Sequence, residues 1–219
     1  FLMRFSQAQD QCLQALLTLS HCFRYCNGQR FNMKLSELFE SPERSFRNVC
    51  GKVDDPFTSD LGCAYKKLTS LEGCPSLILG AFTCYDNHLE TLKGGPSKVT
   101  DYYTCSRNYL SDLDGVASHI GEAFDCSYNN LTSLHNIHKQ IKHIGGSANF
   151  IHNPIKSHVL GLLLIDGLEE VSFESFSISA NATRHKMNHI INKHLKNDRD
   201  VFACQEELIE NGFEDFAQL

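Results

Sequence analysis

The fold is decided by the stretch Phe82-Thr83-Cys84-Tyr85-Asp86-Asn87-His88-Leu89-Glu90-Thr91-Leu92, because its pattern returns in residues 103–113 and again in residues 124–134. Each copy has an aromatic residue, a cysteine two positions later, an asparagine three positions after the cysteine, and then two leucines. A looser copy at 61–71 precedes these three, so four cysteines fall 21 residues apart. A fixed period of about 20 to 30 residues is typical of a solenoid, in which each coil buries its apolar edge against the next coil.

Each repeated residue type has a physical role. An aromatic residue and a cysteine two positions apart point to one side of a short strand. The asparagine turns the chain, and its side chain can bond exposed backbone groups. The leucines close the coil, and each contributes about 1.5–3 kcal/mol when fully buried. We therefore predict a structural ladder of buried repeat residues: Cys63, Cys84, Cys105, Cys126, Asn87, Asn108, Asn129 and Asn153.

The return path of each coil is interrupted by Gly73, Gly94 and Gly115 and by Pro75 and Pro96, which prevent a long helix there. The predicted fold class is a repeat solenoid of about five repeats of 21–24 residues over 57–171. Short parallel β-strands are expected on its concave face and an extended or irregular path on its convex side.

Two departures from the repeat carry expectations of their own. Lys66 occupies the asparagine position of the first coil, so that turn is expected to be solvated at the edge. Three extra residues lie between Leu134 and Ile144, and the segment from His135 to His143 is expected to bulge from the convex side.

The beginning of the chain differs from the repeats. Residues 1–32 are interpreted as a leader or as an ordinary N-terminal helix, with a signal peptide as a third reading. The partial helical spacing of Leu13, Leu16 and Leu17 favours the helix, whereas the sequence from Met33 resembles a natural start. We expect residues 33–56 to form an N-terminal cap, since a solenoid end exposes apolar surface.

The end of the chain, 172–219, is predicted to form a C-terminal α-helical cap. Ile190, Ile191 and Leu195 predict one helix, and Asp198 or Asp200 is expected to begin a second. The second helix is expected to bury these side chains: Phe202, Leu208, Ile209, Phe213 and Phe216. The first helix is basic and the second acidic, which favours an antiparallel pair; two solvated helices are the alternative.

The repeat pattern resembles the leucine-rich repeat, with an aromatic residue and a cysteine in two of the usual leucine positions. Its short period and the proline on the return path resemble the bacterial type of that repeat. The segment Leu68-Thr69-Ser70-Leu71-Glu72-Gly73-Cys74-Pro75 is similar in sequence to segments of uncharacterised repeat proteins of tailed bacteriophages and their metagenomic relatives. Residues 33–40 and 200–209 also resemble that group. The resemblance implies a leucine-rich-repeat-like solenoid and a phage origin, and it implies no assigned activity.

Composition limits the classes of partner. The net charge of this 219-residue chain is −6, which does not suggest a nucleic-acid-binding protein, and no apolar run is long enough to cross a bilayer. Ten cysteines, four of them at one buried repeat position, favour reduced thiols and a cytoplasmic location, in the host cytoplasm for a phage-encoded protein. No cofactor is expected.

The side chains between the buried strand positions are expected to collect in rows on the concave face. These rows contain tyrosine and arginine, which dominate the energy of many protein interfaces. We expect a binding patch on this face, formed by Tyr85, Asp86, Tyr102, Thr104, Arg107, Asp125 and Tyr128. The alternative is an ordinary solvated face.

Candidate metal and catalytic residues fit no known motif. His135, His138 and His143 cluster in the inserted segment, and Cys22 and Cys26 resemble half of a zinc site, but neither set has the spacing of a complete site. Cys204 lies where a helix dipole can lower a thiol pKa, yet too few residues surround it for a catalytic domain. We therefore expect no catalytic residue and no metal ligand.

The function predicted from the sequence is a non-enzymatic protein–protein interaction module that is phage-encoded and binds an unidentified protein through the concave face. The first alternative is a structural or virion-assembly component that makes contacts through its ends. The second is a metal-dependent enzyme that uses the loop histidines.

Overall fold

The computed structural model describes residues 43–173 and 182–219, and only the backbone of 182–184. The expectations for residues 1–32, for the first part of the N-terminal cap up to residue 42, and for Cys22 and Cys26 lie outside the described residues. Within these ranges no helix is both long and apolar enough to cross a bilayer.

Between Leu61 and Ser172 the chain forms very short strands, one or two in each coil. They are β1 Leu61–Gly62, β2 Leu77–Ile78, β3 Phe82–Thr83, β4 Lys98–Val99, β5 Tyr103–Thr104, β6 His119–Ile120, β7 Phe124–Asp125, β8 His143–Ile144, β9 Ser147–Asn149 and β10 Glu170–Ser172.

The strands that contain the repeated aromatic or apolar residue form one parallel sheet in the order β1-β3-β5-β7-β9-β10. Phe82 lies opposite Leu61, Tyr103 opposite Phe82, and Phe124 opposite Tyr103, so each step along the sheet is one repeat of the sequence. The predicted repeat solenoid of about five turns is confirmed. Its six-stranded sheet has the register that the 21-residue period requires.

The return path is expected to be extended or irregular, and the segment that leads into β3, β5, β7 and β9 is extended. There β2, β4, β6 and β8 form a second parallel sheet. It places Ile78, Val99, Ile120 and Ile144 in register, and all four are buried. β-Branched side chains favour strands, and a constant period aligns their backbone groups for hydrogen bonding even when each strand has two residues.

The core between the sheets contains a stack of aromatic rings. Phe82, Tyr103 and Phe124 follow one another with ring centroids 5.1 and 5.6 Å apart. The next ring, Phe150, lies 6.1 Å from Phe124 although it occupies the cysteine position of its coil, because Ala148 occupies the aromatic position. This exchange of a large and a small residue keeps the buried volume nearly constant, so the core continues through the irregular coil.

The inserted segment forms a short helix, α2 Ile137–Gln140, which packs against a 3₁₀ helix at Leu160–Leu164. Ile137 and Ile141 are buried. The extra residues therefore add apolar contacts to the core.

The tail contains α3 Ala182–Lys196 and α4 Val201–Glu210, which pack against each other. Asp200 begins α4, and its carboxylate accepts hydrogen bonds from the amides of Phe202 and Ala203. Of the apolar residues expected to be buried, Leu208 and Phe213 are buried, whereas the Phe202 side chain is 81% exposed and Ile209 is 46% exposed. That part of the prediction is wrong because α4 turns Cys204 and Leu208 toward the core and so faces these two side chains outward.

Side chains from outside the strands bond the backbone at both ends of the described solenoid. At the first coil, Lys66 and Lys67 are exposed, as expected for a solvated turn, and the Arg44 guanidinium also donates to their carbonyl oxygens. Arg44 precedes the short helix α1 Phe46–Cys50, whose Ser45 forms a bridge with Ser70.

At the last coil, α3 packs against β10. The Asn192 side-chain amide accepts a hydrogen bond from the Val171 amide at 2.8 Å and donates to the Val171 carbonyl at 2.9 Å. Arg199 donates to the carbonyl oxygens of Ile165 and Leu168. The Asn192 side chain thus bonds the Val171 backbone as the next strand of a sheet would.

Candidate binding surface

The turns that follow β3, β5, β7 and β9 are each fixed by a buried asparagine. Asn87 Nδ2 donates to the carbonyl oxygens of Cys63 and Cys84 at 2.9 and 3.0 Å, and its Oδ1 accepts from the Leu68 amide at 2.9 Å. Asn108, Asn129 and Asn153 make the corresponding bonds in the following coils. Each asparagine therefore joins its own turn to that of the preceding coil, and successive turns superimpose.

The residue before each turn has a left-handed backbone. We call these residues the turn row: Tyr65, Asp86, Arg107, Tyr128 and His152, with φ of 58°, 53°, 54°, 55° and 58°. Positive φ is uncommon for residues other than glycine, although Asp and His tolerate it better than most. Its cost is about 1–3 kcal/mol for a residue held there by its surroundings. The strain falls chiefly on Tyr65, Arg107 and Tyr128.

The side chains of the turn row contact one another along the solenoid. Arg107 Nε lies 3.9 Å from an Asp86 carboxylate oxygen, and the Arg107 guanidinium lies 4.5 Å above the ring centre of Tyr128. The Tyr128 and His152 rings are 4.1 Å apart. A carboxylate, a guanidinium, a phenol and an imidazole thus form one continuous stack over four coils. Guanidinium–ring contact of this kind contributes about 0.5–1 kcal/mol at an exposed site.

A second aromatic contact lies at the start of the row. Tyr65 and Tyr85 meet edge to face with ring centroids 5.1 Å apart. Hydrogen bonding to the Tyr85 phenol raises the pKa of Tyr65. The phenol therefore keeps its proton, and its capacity to donate a hydrogen bond, to a higher pH than a free tyrosine.

The exposed side of the six-stranded sheet next to the turn row carries small polar side chains. Thr104 Oγ1 lies 3.4 Å from Asp125 Oδ2 and 3.2 Å from Ser106 Oγ. Asp125 Oδ1 accepts from the Ser127 amide at 3.0 Å. These contacts hold the Asp125 carboxylate in place on the sheet.

Six of the seven residues predicted for the binding patch thus fall into three groups. Asp86, Arg107 and Tyr128 stack together, Thr104 is hydrogen-bonded to Asp125, and Tyr85 pairs with Tyr65. Within the described chain no hydrogen bond, ion pair or ring contact joins Tyr102 to these groups; its side chain is 43% exposed, just before β5.

Sequence reasoning missed Tyr65 and His152. The signal was present: His152 precedes Asn153 as Tyr128 precedes Asn129, and Tyr65 precedes Lys66 at the same position of the first coil. The signal is weaker at the two ends because Lys66 replaces the asparagine of the first coil and Ala148 replaces the aromatic residue of the last.

The cysteines of the ladder are buried free thiols. Burial raises the pKa of Cys63, Cys84 and Cys105 well above the usual value, and neighbouring thiols add to the effect. Burial also raises the pKa of Cys204 to about 12, opposite to the dipole effect considered from the sequence. Thiols of this kind pack as small apolar groups and are poor nucleophiles.

The three histidines of the inserted segment have separate partners or none. His143 Nδ1 lies 3.2 Å from Asp166 Oδ2, and the His135 ring lies 4.7 Å from that of His158. Burial lowers the pKa of His138, whose Nδ1 has no hydrogen-bond partner among the described residues. In the part of the chain that the structure describes, no group of three or more His, Cys, Asp or Glu is placed to hold a metal ion.

Comparison of the chain with protein-family models, with curated proteins and with solved structures finds no match in any of the three.

Proposed function

We propose that this chain is a non-enzymatic protein–protein interaction module that binds a protein partner through the turn row and the adjoining face of the six-stranded sheet. The observation that carries the proposal is the stack of bulky side chains at positive φ, in which Arg107 lies over Tyr128 and Tyr128 lies against His152.

The backbone cost of this stack favours a role at the surface. Glycine adopts positive φ without the steric penalty that tyrosine or arginine meets. The Arg107 and Tyr128 side chains are exposed, so they do not compensate for that cost through burial in the core. Strained residues of this kind cluster at binding sites, where the fixed backbone holds a side chain in the orientation that the ligand contacts.

The stack also prepares the surface for binding. Tyrosine and arginine are enriched among residues that dominate interface energy. Ordering a rotamer-rich side chain at an interface costs about 0.5–1.5 kcal/mol, and contacts made before binding reduce that cost. Arg107 is held on both sides, by Asp86 and by Tyr128.

We also propose the finer classification expected from the sequence: a leucine-rich-repeat-like solenoid that binds through a concave face and is capped by α3 and α4. The buried leucines and the asparagine bonds support the repeat assignment, and the contacts of Asn192 and Arg199 support the capping role. The proposed phage origin rests on the sequence of the repeats. The proposed cytoplasmic location rests on the buried free thiols.

Site-specific photo-crosslinking tests the proposed surface. A photoreactive phenylalanine analogue is placed at Tyr102 or Tyr128, or at Lys98 and His119 on the exposed side of the four-stranded sheet as controls. The chain is produced in bacterial cells and irradiated, and the products are identified by mass spectrometry. We expect the analogue at position 102 and the analogue at position 128 to crosslink to the same protein. We expect no crosslink to that protein from position 98 or 119.

The quadruple variant Tyr85→Ala, Tyr102→Ala, Arg107→Ala, Tyr128→Ala completes the test. With purified partner, its affinity is expected to fall by at least about tenfold, since Tyr and Arg truncations at hot spots cost about 2 kcal/mol or more. The double variant Lys98→Ala, His119→Ala should bind as the wild type does. Equal crosslinking from both sheets, or unchanged affinity in the quadruple variant, would refute the proposal.

A further inference from the structure

The outer face of α4 carries apolar side chains that the fold does not use. Phe202 is 81% exposed and Ile209 is 46% exposed. They are seven residues apart, which is close to two helical turns, so they lie on one face of the helix. The Phe202 side chain is not required for capping α4, because Asp200 accepts a hydrogen bond from the backbone amide of that residue.

Acidic residues border this apolar pair. Glu206 lies between Phe202 and Ile209 on the same face, four residues after the first and three before the second, and Glu210 follows Ile209. Neither carboxylate forms an ion pair within the described residues, whereas the neighbouring Glu207 is paired with Lys193 and His194.

Two shallow, open hollows lie along this stripe. One open hollow is lined by Phe202, Gln205, Glu206, Ile209 and Glu210, and a second by α3 and α4 residues that again include Glu206 and Glu210. The two hollows share these glutamates, so the apolar pair and the unpaired carboxylates form one continuous surface along α4.

We propose that this face of α4 docks a basic amphipathic helix of a partner protein. Its apolar residues would cover Phe202 and Ile209, and its lysine or arginine residues would pair with Glu206 and Glu210. Charge decides the occupant: a second copy would bring the same glutamates against their equivalents, and like charges opposed across an interface are unfavourable. This inference is independent of the function proposed for the turn row, which lies on other elements.

A synthetic helix tests the chemistry directly. The probe is a fluorescent peptide of about 18 residues, long enough to form a helix, with leucines at alternating spacings of three and four and lysines on the flanks. A matched peptide carries glutamate in place of lysine. We expect the full chain to bind the lysine peptide and not the glutamate peptide, as measured by fluorescence anisotropy.

Variants locate the site. Phe202→Ala with Ile209→Ala should weaken lysine-peptide binding by at least about tenfold, as expected for the loss of two central apolar contacts. Glu206→Lys with Glu210→Lys should reverse the preference toward the glutamate peptide. Leu79→Ala with Leu164→Ala removes exposed leucines outside α4 and should change nothing. The substituted α4 side chains are exposed, so unchanged thermal unfolding is expected for all variants.

Three results would overturn the inference. The first is no binding of the lysine peptide at all. The second is equal binding by the wild type and by the Phe202→Ala, Ile209→Ala variant, which would show attraction to negative charge alone. The third is a dimer of the chain, detected by light scattering, that the same variant dissociates, because a second copy would then occupy the face.

Discussion

Asn129 illustrates how one polar side chain joins two coils. Its Nδ2 donates to the carbonyl oxygens of Cys105 and Cys126 at 3.1 and 3.2 Å, and its Oδ1 accepts from the Leu110 amide at 3.0 Å. The side chain is buried, so water cannot replace these bonds. A buried backbone group left without a partner costs about 1–3 kcal/mol.

We expect Asn129→Ala to lower the free energy of unfolding by about 3 kcal/mol, because it leaves several backbone groups unsatisfied. The neighbouring Asn130→Ala is the control, since Asn130 is exposed and should change stability by no more than about 0.5 kcal/mol. Urea unfolding of both variants measures the difference. Equal stabilities would show that the asparagine bonds do not hold the turns.

Tyr103 is the one tyrosine in the stack of buried rings formed with Phe82, Phe124, Phe150 and Phe173. By distance and angle its hydroxyl has no hydrogen-bond partner among the described residues; the nearby Cys84 thiol is only a weak acceptor. Burial raises the pKa of Tyr103 well above the usual value. Tyr103→Phe should therefore raise the free energy of unfolding by about 1 kcal/mol. Phe124→Tyr is the converse control and should be destabilising. A loss of stability in Tyr103→Phe would mean that the hydroxyl has a bonding role.

At the scale of the element, side chains from neighbouring segments bond the backbone at the ends of the described solenoid. The Val171 amide and carbonyl on the edge of β10 are both bonded by the Asn192 side chain of α3. An unpaired strand edge is a template for association with another chain. One residue of α3 therefore satisfies the backbone where the repeats end.

We expect Asn192→Ala to speed amide hydrogen exchange at Val171 and to lower the free energy of unfolding by about 2 kcal/mol, since two backbone bonds are lost. Asn188 lies one turn earlier on α3 and has a side-chain carbonyl with no hydrogen-bond partner within the described residues. Asn188→Ala should leave exchange at Val171 unchanged. The same exchange rate in the wild type and in Asn192→Ala would contradict this account of the edge.

The contact between α3 and α4 should depend on pH. Hydrogen bonds from Lys193 and His194 lower the pKa of Glu207 below its ordinary value of 4.5. A carboxyl group whose pKa is lowered by folding stabilises the protein above its unfolded pKa, and that stabilisation is lost as pH falls through the folded pKa.

On acidification below about pH 4.5, the wild type should therefore lose its stability advantage over Glu207→Gln. Unfolding in urea at a series of pH values measures this, with Glu210→Gln as the control because Glu210 has no ion pair among the described residues. A constant difference between wild type and Glu207→Gln across that range would exclude the effect.

The sequence predicts the elements with a period far better than those without one. The 21-residue spacing places Phe82, Tyr103 and Phe124 in register and puts the asparagines at the turns.

Strands β2, β4, β6 and β8 were missed because a strand of two residues is too short to show an alternation of apolar and polar side chains. Arg44 was missed because its contact with Lys66 joins residues 22 apart without a repeat. Phe202 was wrongly expected in the core because spacing identifies an apolar face but not which side of α4 packs inward.

At the scale of the whole molecule, one arrangement supports every conclusion about the repeats. Parallel coils stack in register, so equivalent side chains form rows inside and outside the solenoid. The aromatic stack, the buried thiols and the turn row are three such rows. The proposed turn-row surface and the predictions for Asn129 and Tyr103 depend on that register.

Scalar couplings across hydrogen bonds, measured by NMR on the isotope-labelled chain, test the register most directly. The account predicts that the amide nitrogen of Cys84 couples to the carbonyl carbon of Thr104, that of Cys105 to Asp125, and that of Cys126 to Asn149. Couplings from these amides to any other carbonyls, or rapid exchange of all three amides with solvent, would contradict the stacked coils on which the account rests.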